Sequence, residues 1–479
     1  MNSCPAEPFL EPGDLFLRHD LRWLADGEGF EAPLETWPLS WNGIDAEMEE
    51  ARGNGPSRAR LAERLNFERE PGWRPARTWL GVRSGGGSAR SFASEPRGGF
   101  ETGAEVAWMG DRFAGKLAVG RAWGTEADFR GRKDDGLRFD GSYFAARLGN
   151  WATGFGQVDR WWGPGWDGAL LLSTNARPVP AVFVKRRTPE PFENKWLGWL
   201  GPWTATSFLG RMEKERATPR PYLWGMRLEL APSIVPGLEI GLSRTMQLGG
   251  EGRPSGWKTF ADAFLSQDNV GGNTGNDRAS EPGNQLAGVD FRWRLIGRLP
   301  VALYGQVAGE DEDHFLPNAL LYGLGAETWG EGESGTWRLF VEYANTGTWW
   351  WTGYPRRENV TYTHHLYTDG YRHYGSAVGH WADADSSVVS AGWLWSGNSG
   401  GGWGVVARVG ELNRDGAGAN SISDGEATDL REVELFHRRG LPGLEAELAV
   451  QVGWEERETK SGAGRGNGPT GFLSIGRTF

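Results

Sequence analysis

Apolar and polar positions alternate with period two over most of this chain. The last hundred residues show it most clearly. Leu444, Ala446, Leu448, Val450, Val452 and Trp454 fall on one side of an extended chain, and Glu445, Glu447, Ala449, Gln451, Gly453 and Glu455 on the other. One apolar and one polar face is the pattern of a strand wet on one side only. A second such segment, from Gly471, ends the sequence on an aromatic residue, Phe479. Period-two segments centre near residues 80, 104, 118, 143, 156, 182, 208, 226, 242, 290, 306, 324, 340, 391, 407, 434, 450 and 475.

The first ~70 residues carry a different period. Leu17, Leu21 and Leu24, then Ile44, Met48 and Ala51, lie at i, i+4, i+7, and Leu61 and Leu65 at i, i+4. These predict three short amphipathic helices, with Asp14 and Ser40 as N-caps and Gly27 and Gly53 as stops. The expected organisation is a helical segment over 1–72 followed by a β-rich unit over 73–479.

The connections sort by length. With the first strand taken as running upward, 85–98, 124–137, 161–177, 249–283, 347–385, 414–428 and 457–469 share one end and are long. The other end has 109–112, 149–150, 232–236, 297–299, 330–334, 397–401 and 439–443, which are short. Segment 188–202 is the exception, long where a short turn is expected. Short turns on one side, long loops on the other and an even number of strands describe a transmembrane β-barrel of the bacterial outer membrane. The terminal aromatic strand agrees. The expected fold is therefore an all-β transmembrane barrel of about 18 antiparallel strands with a small N-terminal helical bundle. Both termini and the bundle would be periplasmic and the long loops extracellular.

Composition supports this. The 479 residues include 74 Gly and 27 Trp, the turn and ring residues of barrels. Mean hydropathy is −0.52, which barrels tolerate because only alternate strand positions need be apolar. No run of roughly 18 apolar residues predicts a membrane helix. A net charge of −11 argues against a nucleic-acid partner. The one cysteine, Cys4, offers no internal disulfide. No signal-peptide pattern opens the chain; an exported barrel needs one, so it is expected to have been removed or to lie upstream.

The polar faces hold charges of both signs: Arg227 with Glu229, Asp290 with Arg292 and Arg294, Arg338 with Glu342. The opposite faces hold Trp224, Met226 and Leu228; Phe291 and Trp293; Leu339 and Val341. A charge facing lipid at the bilayer midplane costs roughly 2–4 kcal/mol, so the charged faces belong to the lumen. Mixed signs predict cross-strand pairing and a structured, partly blocked lumen.

An ordered set of short motifs resembles the capsule assembly Wzi family over nearly the whole chain. The set includes Pro12-Gly13-Asp14, Leu17-Arg18-His19-Asp20-Leu21 and Thr36-Trp37-Pro38-Leu39-Ser40. It continues with Trp161-Trp162-Gly163-Pro164-Gly165, Leu170-Leu171-Leu172-Ser173 and Asn175-Ala176-Arg177-Pro178. Farther on come Glu342-Tyr343-Ala344-Asn345-Thr346, Gly370-Tyr371-Arg372, and Gly379-His380 with Asp383 and Asp385. The chain departs from the family in its long Gly-rich loop at 249–283 and its heavy use of Arg and Trp. The resemblance implies an 18-stranded outer-membrane barrel with a periplasmic helical bundle, acting as a lectin that holds capsular polysaccharide at the cell surface.

A lectin site needs aromatic rings for the C–H faces of sugars and polar groups for their hydroxyls. Two clusters supply both. Tyr362, His364, His365, Tyr367, Asp369, Tyr371, Arg372, His373 and Tyr374 lie in the longest loop, where they either contact ligand or line the lumen; they are preceded by Trp349, Trp350 and Trp351, read rather as loop packing or part of the interfacial girdle, and by Tyr354, Arg356 and Arg357. Trp161, Trp162, Trp166, Asp167 and Arg177 form the second, around the turn that Gly163-Pro164-Gly165 forces; the reading preferred for that loop is that it folds inward and blocks the barrel. The histidines His314, His364, His365, His373 and His380, with Asp383 and Asp385, show no metal-ligand spacing. Neither HExxH nor GxSxG occurs, so no catalytic residue, metal or cofactor is expected. The expected partners are capsular or exopolysaccharide and outer-membrane lipid, with the chain a monomer. A channel for sugars or other small solutes is the alternative, and a rim-site hydrolase a third reading.

Overall fold

The computed structural model describes the chain except residues 1–8, 28–30, 51–54, 86–88, 94, 265–282, 296–298, 311, 314–315, 318, 350–358, 424 and 463–464. Its core is one closed antiparallel barrel of 18 strands. In chain order these are β1 (Arg77–Ser84), β2 (Gly98–Met109), β3 (Phe113–Thr125), β4 (Tyr143–Leu148), β5 (Trp151–Gly156) and β6 (Ala181–Arg186). Then follow β7 (Trp203–Arg211), β8 (Tyr222–Leu230), β9 (Leu238–Leu248), β10 (Gly283–Arg294), β11 (Val301–Gly309) and β12 (Leu320–Gly332). The last are β13 (Gly335–Trp349), β14 (Ser387–Gly397), β15 (Gly402–Leu412), β16 (Thr428–Leu441), β17 (Ala446–Thr459) and β18 (Arg465–Thr478). Every predicted strand centre falls within one of them. The barrel closes where β18 pairs with β1, Gly476 opposite Trp79, and the Phe479 amide donates to the Ala76 carbonyl at 2.8 Å.

Alternation decides which way each side chain points. Arg227, Glu229, Asp290, Arg292, Arg338 and Glu342 are buried inside, while Leu242, Val289, Leu339 and Val341 face out and stay exposed. Trp108, Trp151, Trp293 and Trp403 mark the outer wall near the short-turn end, and Trp123 and Trp454 near the long-loop end. Rings at both rims of an apolar band are the aromatic girdles of a barrel in lipid. Among the described residues no helix is long and apolar enough to cross a membrane.

Three helices precede the wall: α1 (Leu15–Gly27), α2 (Trp41–Glu50) and α3 (Pro56–Arg69). Asp14 caps α1, its carboxylate accepting from the Phe16 and Leu17 amides at 3.1 and 3.0 Å, and Pro56 opens α3 where a missing N–H costs nothing. Ser40 does precede α2, but its hydroxyl makes no capping bond; Gly53 lies outside the described residues. Leu21, Leu24, Ile44, Met48, Leu61 and Leu65 pack together as the periodicity predicts. The same cluster continues into the barrel through Trp161, Trp166, Tyr304, Phe340, Leu394 and Val406, so the hydrophobic core does not divide at residue 72.

The helices sit in the short-turn end of the lumen, tied to the wall by buried ion pairs. Asp26 of α1 meets Arg292 of β10 and Arg338 of β13, each at 2.9 Å, and both arginines also pair with Glu327 of β12, at 2.5 and 2.8 Å. Arg22 pairs with Glu239 of β9 at 2.5 Å and with Glu35. Within the wall, Arg227 of β8 reaches Asp290 of β10 at 2.5 Å, past the intervening β9. Gly241 leaves the room for it: a Cβ there would stand 2.6 Å from the Asp290 carboxylate and crowd the Arg227 guanidinium, so the pair would have to shift. The cross-strand pairing expected from mixed signs is thus present, and the helical segment joins it.

Candidate functional site

The long-loop end is filled from within. The loop after β5, residues 157–180, descends into the lumen instead of standing outside. Gly163, at φ 126°, makes the turn that only glycine adopts without strain. The turn is clamped by α1: Arg18 donates to the Gly165 carbonyl at 2.7 Å and the Pro164 carbonyl at 3.0 Å, with its guanidinium 4.5 Å from the ring centroids of both Phe92 and Trp166. Trp161 pairs with Trp37 and Trp162 with Thr36 as a two-residue ladder. Trp166 donates to Glu327 at 2.8 Å, and Asp167 is held by Arg408 of β15 at 2.8 Å and by the Trp381 indole at 3.2 Å.

Residues 359–386 form a second layer over this loop. The Tyr371 hydroxyl donates to the Leu171 carbonyl at 2.9 Å, that of Tyr362 to the Leu170 carbonyl, and the Tyr362 amide donates to Glu310 at 2.7 Å. Burial pushes both phenols above the ordinary tyrosine range. Arg372 forms a bidentate pair with Asp383, both bonds 2.7 Å, and donates to the Ala419 carbonyl at 2.6 Å. Tyr362, Tyr374, Asp383 and Asp385 hold positive φ of 57°, 48°, 58° and 47°. Such conformations cost on the order of 1–3 kcal/mol each and persist where surrounding contacts over-determine them, as they do here.

Neighbouring loops complete the layer. Asp369 accepts from Arg130 at 2.8 Å, Arg132 at 3.1 Å and the Ala217 amide at 2.5 Å. His373 meets Glu213 at 2.5 Å, and Arg216 donates to the carbonyls of Gly370 and Arg372 at 3.0 and 2.9 Å. Burial works to raise the Glu213 carboxyl, but His373 and Arg216 outweigh it and hold it at about 2. Burial holds His380 down at about 4. Burial opposes the charge on Arg177 too, yet Asp140 and Asp134, both 2.8 Å away, keep it above its ordinary range.

The rings of both clusters turn inward, as the barrel-blocking and lumen-lining readings have it, and not outward to solvent. Trp161, Trp162, Trp166, Asp167, Arg177, Tyr362, Tyr367, Asp369, Tyr371, Arg372 and His373 are all buried. The physical reason is a lumen wide enough to admit loops, which bury rings that a count of loop lengths leaves outside. Of the thirteen candidates, His365 is exposed and His364 half-buried, their rings 4.6 Å apart. Residues 350–358 and His314 lie outside the described residues.

The surface left open surrounds a small hairpin, Arg372–His373 paired with Ser376–Ala377, whose tip is Tyr374-Gly375. Two successive positive φ values at the tip fit a type I′ turn. Tyr374 is 37% exposed, with the Arg177 guanidinium 4.6 Å from its ring centroid. Nearby Arg130 donates to Thr368 at 3.2 Å, and both are exposed, as is His365. Sequence reasoning did not single out Arg130, Arg132 or Glu213. The dense charge of Phe129-Arg130-Gly131-Arg132-Lys133-Asp134-Asp135 was the signal for the first two.

Comparison with known proteins agrees with this architecture. A model of the capsule assembly protein Wzi family matches residues 88–460. A Klebsiella pneumoniae protein, described as an uncharacterized 55.8 kDa protein in the cps region, is 34% identical over 343 residues, 69% of this chain and 64% of its own length. Among solved structures, Escherichia coli Wzi has a TM-score of 0.83 and 26% identity, covering 98% of this chain and 100% of its own. That protein is described as an outer membrane protein involved in group 1 capsule assembly and a carbohydrate binding β-barrel.

Proposed function

The chain belongs to the capsule assembly Wzi family, and on that premise we propose that it is an outer-membrane, glycan-binding barrel that holds capsular or related exopolysaccharide at the cell surface. The observation that carries this reading is the filling of the barrel from both ends. Helix α1 ties to β9, β10 and β13, and loop 157–180 ties to β12, β13 and β15. Such an interior favours a platform over a channel for sugars. Neither the family's description nor that of the E. coli protein names an enzymatic activity.

In this reading the helical segment 1–72 and both termini are periplasmic, the long loops are extracellular, and the barrel works as a monomer. The buried members of the two candidate clusters hold the loops in shape. Glycan meets the exposed rim around Tyr374, His365, His364, Arg130 and Thr368. There a ring can stack on a sugar face while a guanidinium and a hydroxyl serve its hydroxyls.

Deleting the chain is expected to release polysaccharide into the medium without lowering its synthesis, and restoring it to return polymer to the cells. Unchanged cell-associated polymer in the deletant would sink the proposal. Large steady openings in a planar bilayer would favour the channel instead.

A further inference from the structure

Segment 188–202, between β6 and β7, is long at the end of the barrel where the other connections are short. It folds back against the lipid-facing side of the wall. Trp203 of β7 sits opposite Leu230 of β8, on the outward parity opposed to that of Arg227 and Glu229. Phe192 of the segment stacks on Trp203, ring centroids 4.7 Å apart and planes at 12°. Arg186 of β6 follows the outward Val182 and Val184 in alternation. A guanidinium facing lipid at the midplane would cost roughly 2–4 kcal/mol. Here the segment covers it: Arg186 is 9% exposed, lies 3.8 Å from the Trp203 ring centroid, and donates to the carbonyls of Glu190 and Trp203 at 3.0 and 2.6 Å.

The segment also closes its own backbone. The Trp196 and Leu197 amides donate to the Asn194 side-chain oxygen at 3.1 and 2.8 Å, the Gly198 amide to the Asn194 carbonyl at 2.9 Å, and the Trp199 indole to the Trp196 carbonyl at 2.9 Å. A loop needs such closure where water is scarce. What it turns outward is apolar. Trp196 is 87% exposed, and Leu197 and Trp199 are exposed beside it. The Ser233 amide donates to the Trp199 carbonyl at 3.2 Å, which brings in the neighbouring turn and its exposed Ile234. Apolar surface gathered in this way marks an interaction site. The regular wall is also shortest on this side: β4, β5 and β6 have 6 residues each, against 15 in β13. Six residues at the usual tilt give roughly 15 Å of height, against an apolar band roughly 25 Å tall.

We propose that segment 188–202 is a lipid-binding strap: Trp196, Leu197, Trp199 and Ile234 lie among the phospholipids of the periplasmic leaflet and extend the lipid-facing surface where the strands are short. This placement rests on the short-turn end being periplasmic, as given above. Continuity selects the occupant. Outward Trp151 and Trp203 lead from the girdle into the segment, and Phe192 holds it against the wall that lipid covers. Tryptophan favours this interfacial depth, where an apolar ring and a polar N–H are both accommodated.

The test places one nitroxide on the full barrel, in a Cys4→Ser background, at Trp196→Cys, Ile234→Cys or Glu63→Cys. Each barrel is reconstituted in vesicles of phosphatidylethanolamine and phosphatidylglycerol. Glu63, exposed on α3, is the water-facing control. Collisions with dissolved oxygen should exceed those with a water-soluble nickel chelate at 196 and 234, and the order should reverse at 63. All three labels replace exposed side chains, and unboiled gel mobility checks that the barrels fold. Chelate collisions dominating at 196 or 234 would overturn the proposal, as would spin–spin broadening at 196, which would make the patch a contact between two barrels. An impermeant maleimide on intact cells reads the premise separately. Labelling of Trp196→Cys from outside would overturn the orientation and the leaflet named here, whereas chelate access without such labelling overturns the strap alone.

Discussion

Two plugs fill this barrel, and they are built from different material. At the short-turn end the plug is helical, and it holds by buried charge: Asp26 between Arg292 and Arg338, Arg22 between Glu35 and Glu239. At the long-loop end the plug is irregular backbone. It holds by tyrosine hydroxyls and arginines that satisfy loop carbonyls, as Tyr371 does for Leu171 and Arg216 for Gly370. Helices satisfy their own backbone and need only side-chain anchors. Buried loops must find a partner for each backbone group, which is why aromatic and guanidinium donors concentrate there. Arg18 joins the two plugs, bonding the 163–165 turn from α1.

The sharpest way to break the comparison is at Asp26. Replacing it with alanine strips one carboxylate from two buried arginines and is expected to cost about 3–5 kcal/mol, read as a lower urea midpoint for the barrel. Bilayer conductance should rise, while polysaccharide binding at the other end persists. Loss of binding in parallel would mean that Arg18 makes the two plugs one cooperative unit.

Acid should separate them next. The Glu213 carboxyl lies at about 2 in the folded chain against 4.5 unfolded, so its stabilisation is full above pH 4.5 and is lost as pH falls toward 2, about 3 kcal/mol in all. His380 is held neutral at about 4 against 6.5, so acidification below 6.5 favours the unfolded loop, which takes the proton more readily. Both signs loosen the long-loop layer. In the helical plug His19 acts the same way, but burial raises Asp20 and Glu35, whose sign is opposite. Between pH 7 and 4, hydrogen-exchange protection, corrected for the intrinsic rate at each pH, should therefore fall more over 359–386 than over α1; equal falls would contradict the assignment.

A smaller effect is expected from Arg372→Leu. Asp383 keeps the Ser421 and Ala384 amides, at 2.7 and 2.8 Å, so the loss should stay near about 1.5–3 kcal/mol and appear as faster proteolysis within 359–386. Smallest of all is Tyr374→Ala at the exposed tip. Stability should not change, while glycan affinity falls by about 0.5–1.5 kcal/mol, up to roughly tenfold in titration calorimetry. An unchanged affinity would move the binding surface away from the hairpin.

Much of this molecule could be read before its structure. Arg227 and Asp290 could be placed inside and Leu339 and Val341 outside, because a strand reverses its side chains at every residue. The helices over Leu21, Ile44 and Leu61 followed from their spacing. The loops were harder. Lengths alone placed Trp161, Trp166 and Tyr362 at the long-loop end, but could not say that they turn inward, since nothing local distinguishes a loop that enters a lumen from one that stands above it. Arg130 and Glu213 were missed for the same reason: their partners, Asp369 and His373, lie more than a hundred residues away.

By itself the sequence determined the strand number, the facing of each strand and the existence of three N-terminal helices, all set by short-range periodicity. Only the tertiary structure decided that the helices share a core with the barrel, that loop 157–180 fills the lumen, and that the candidate lectin rings are mostly buried. Closing a sheet of eighteen strands creates an interior that no segment encodes, and burial is settled by what fills that interior.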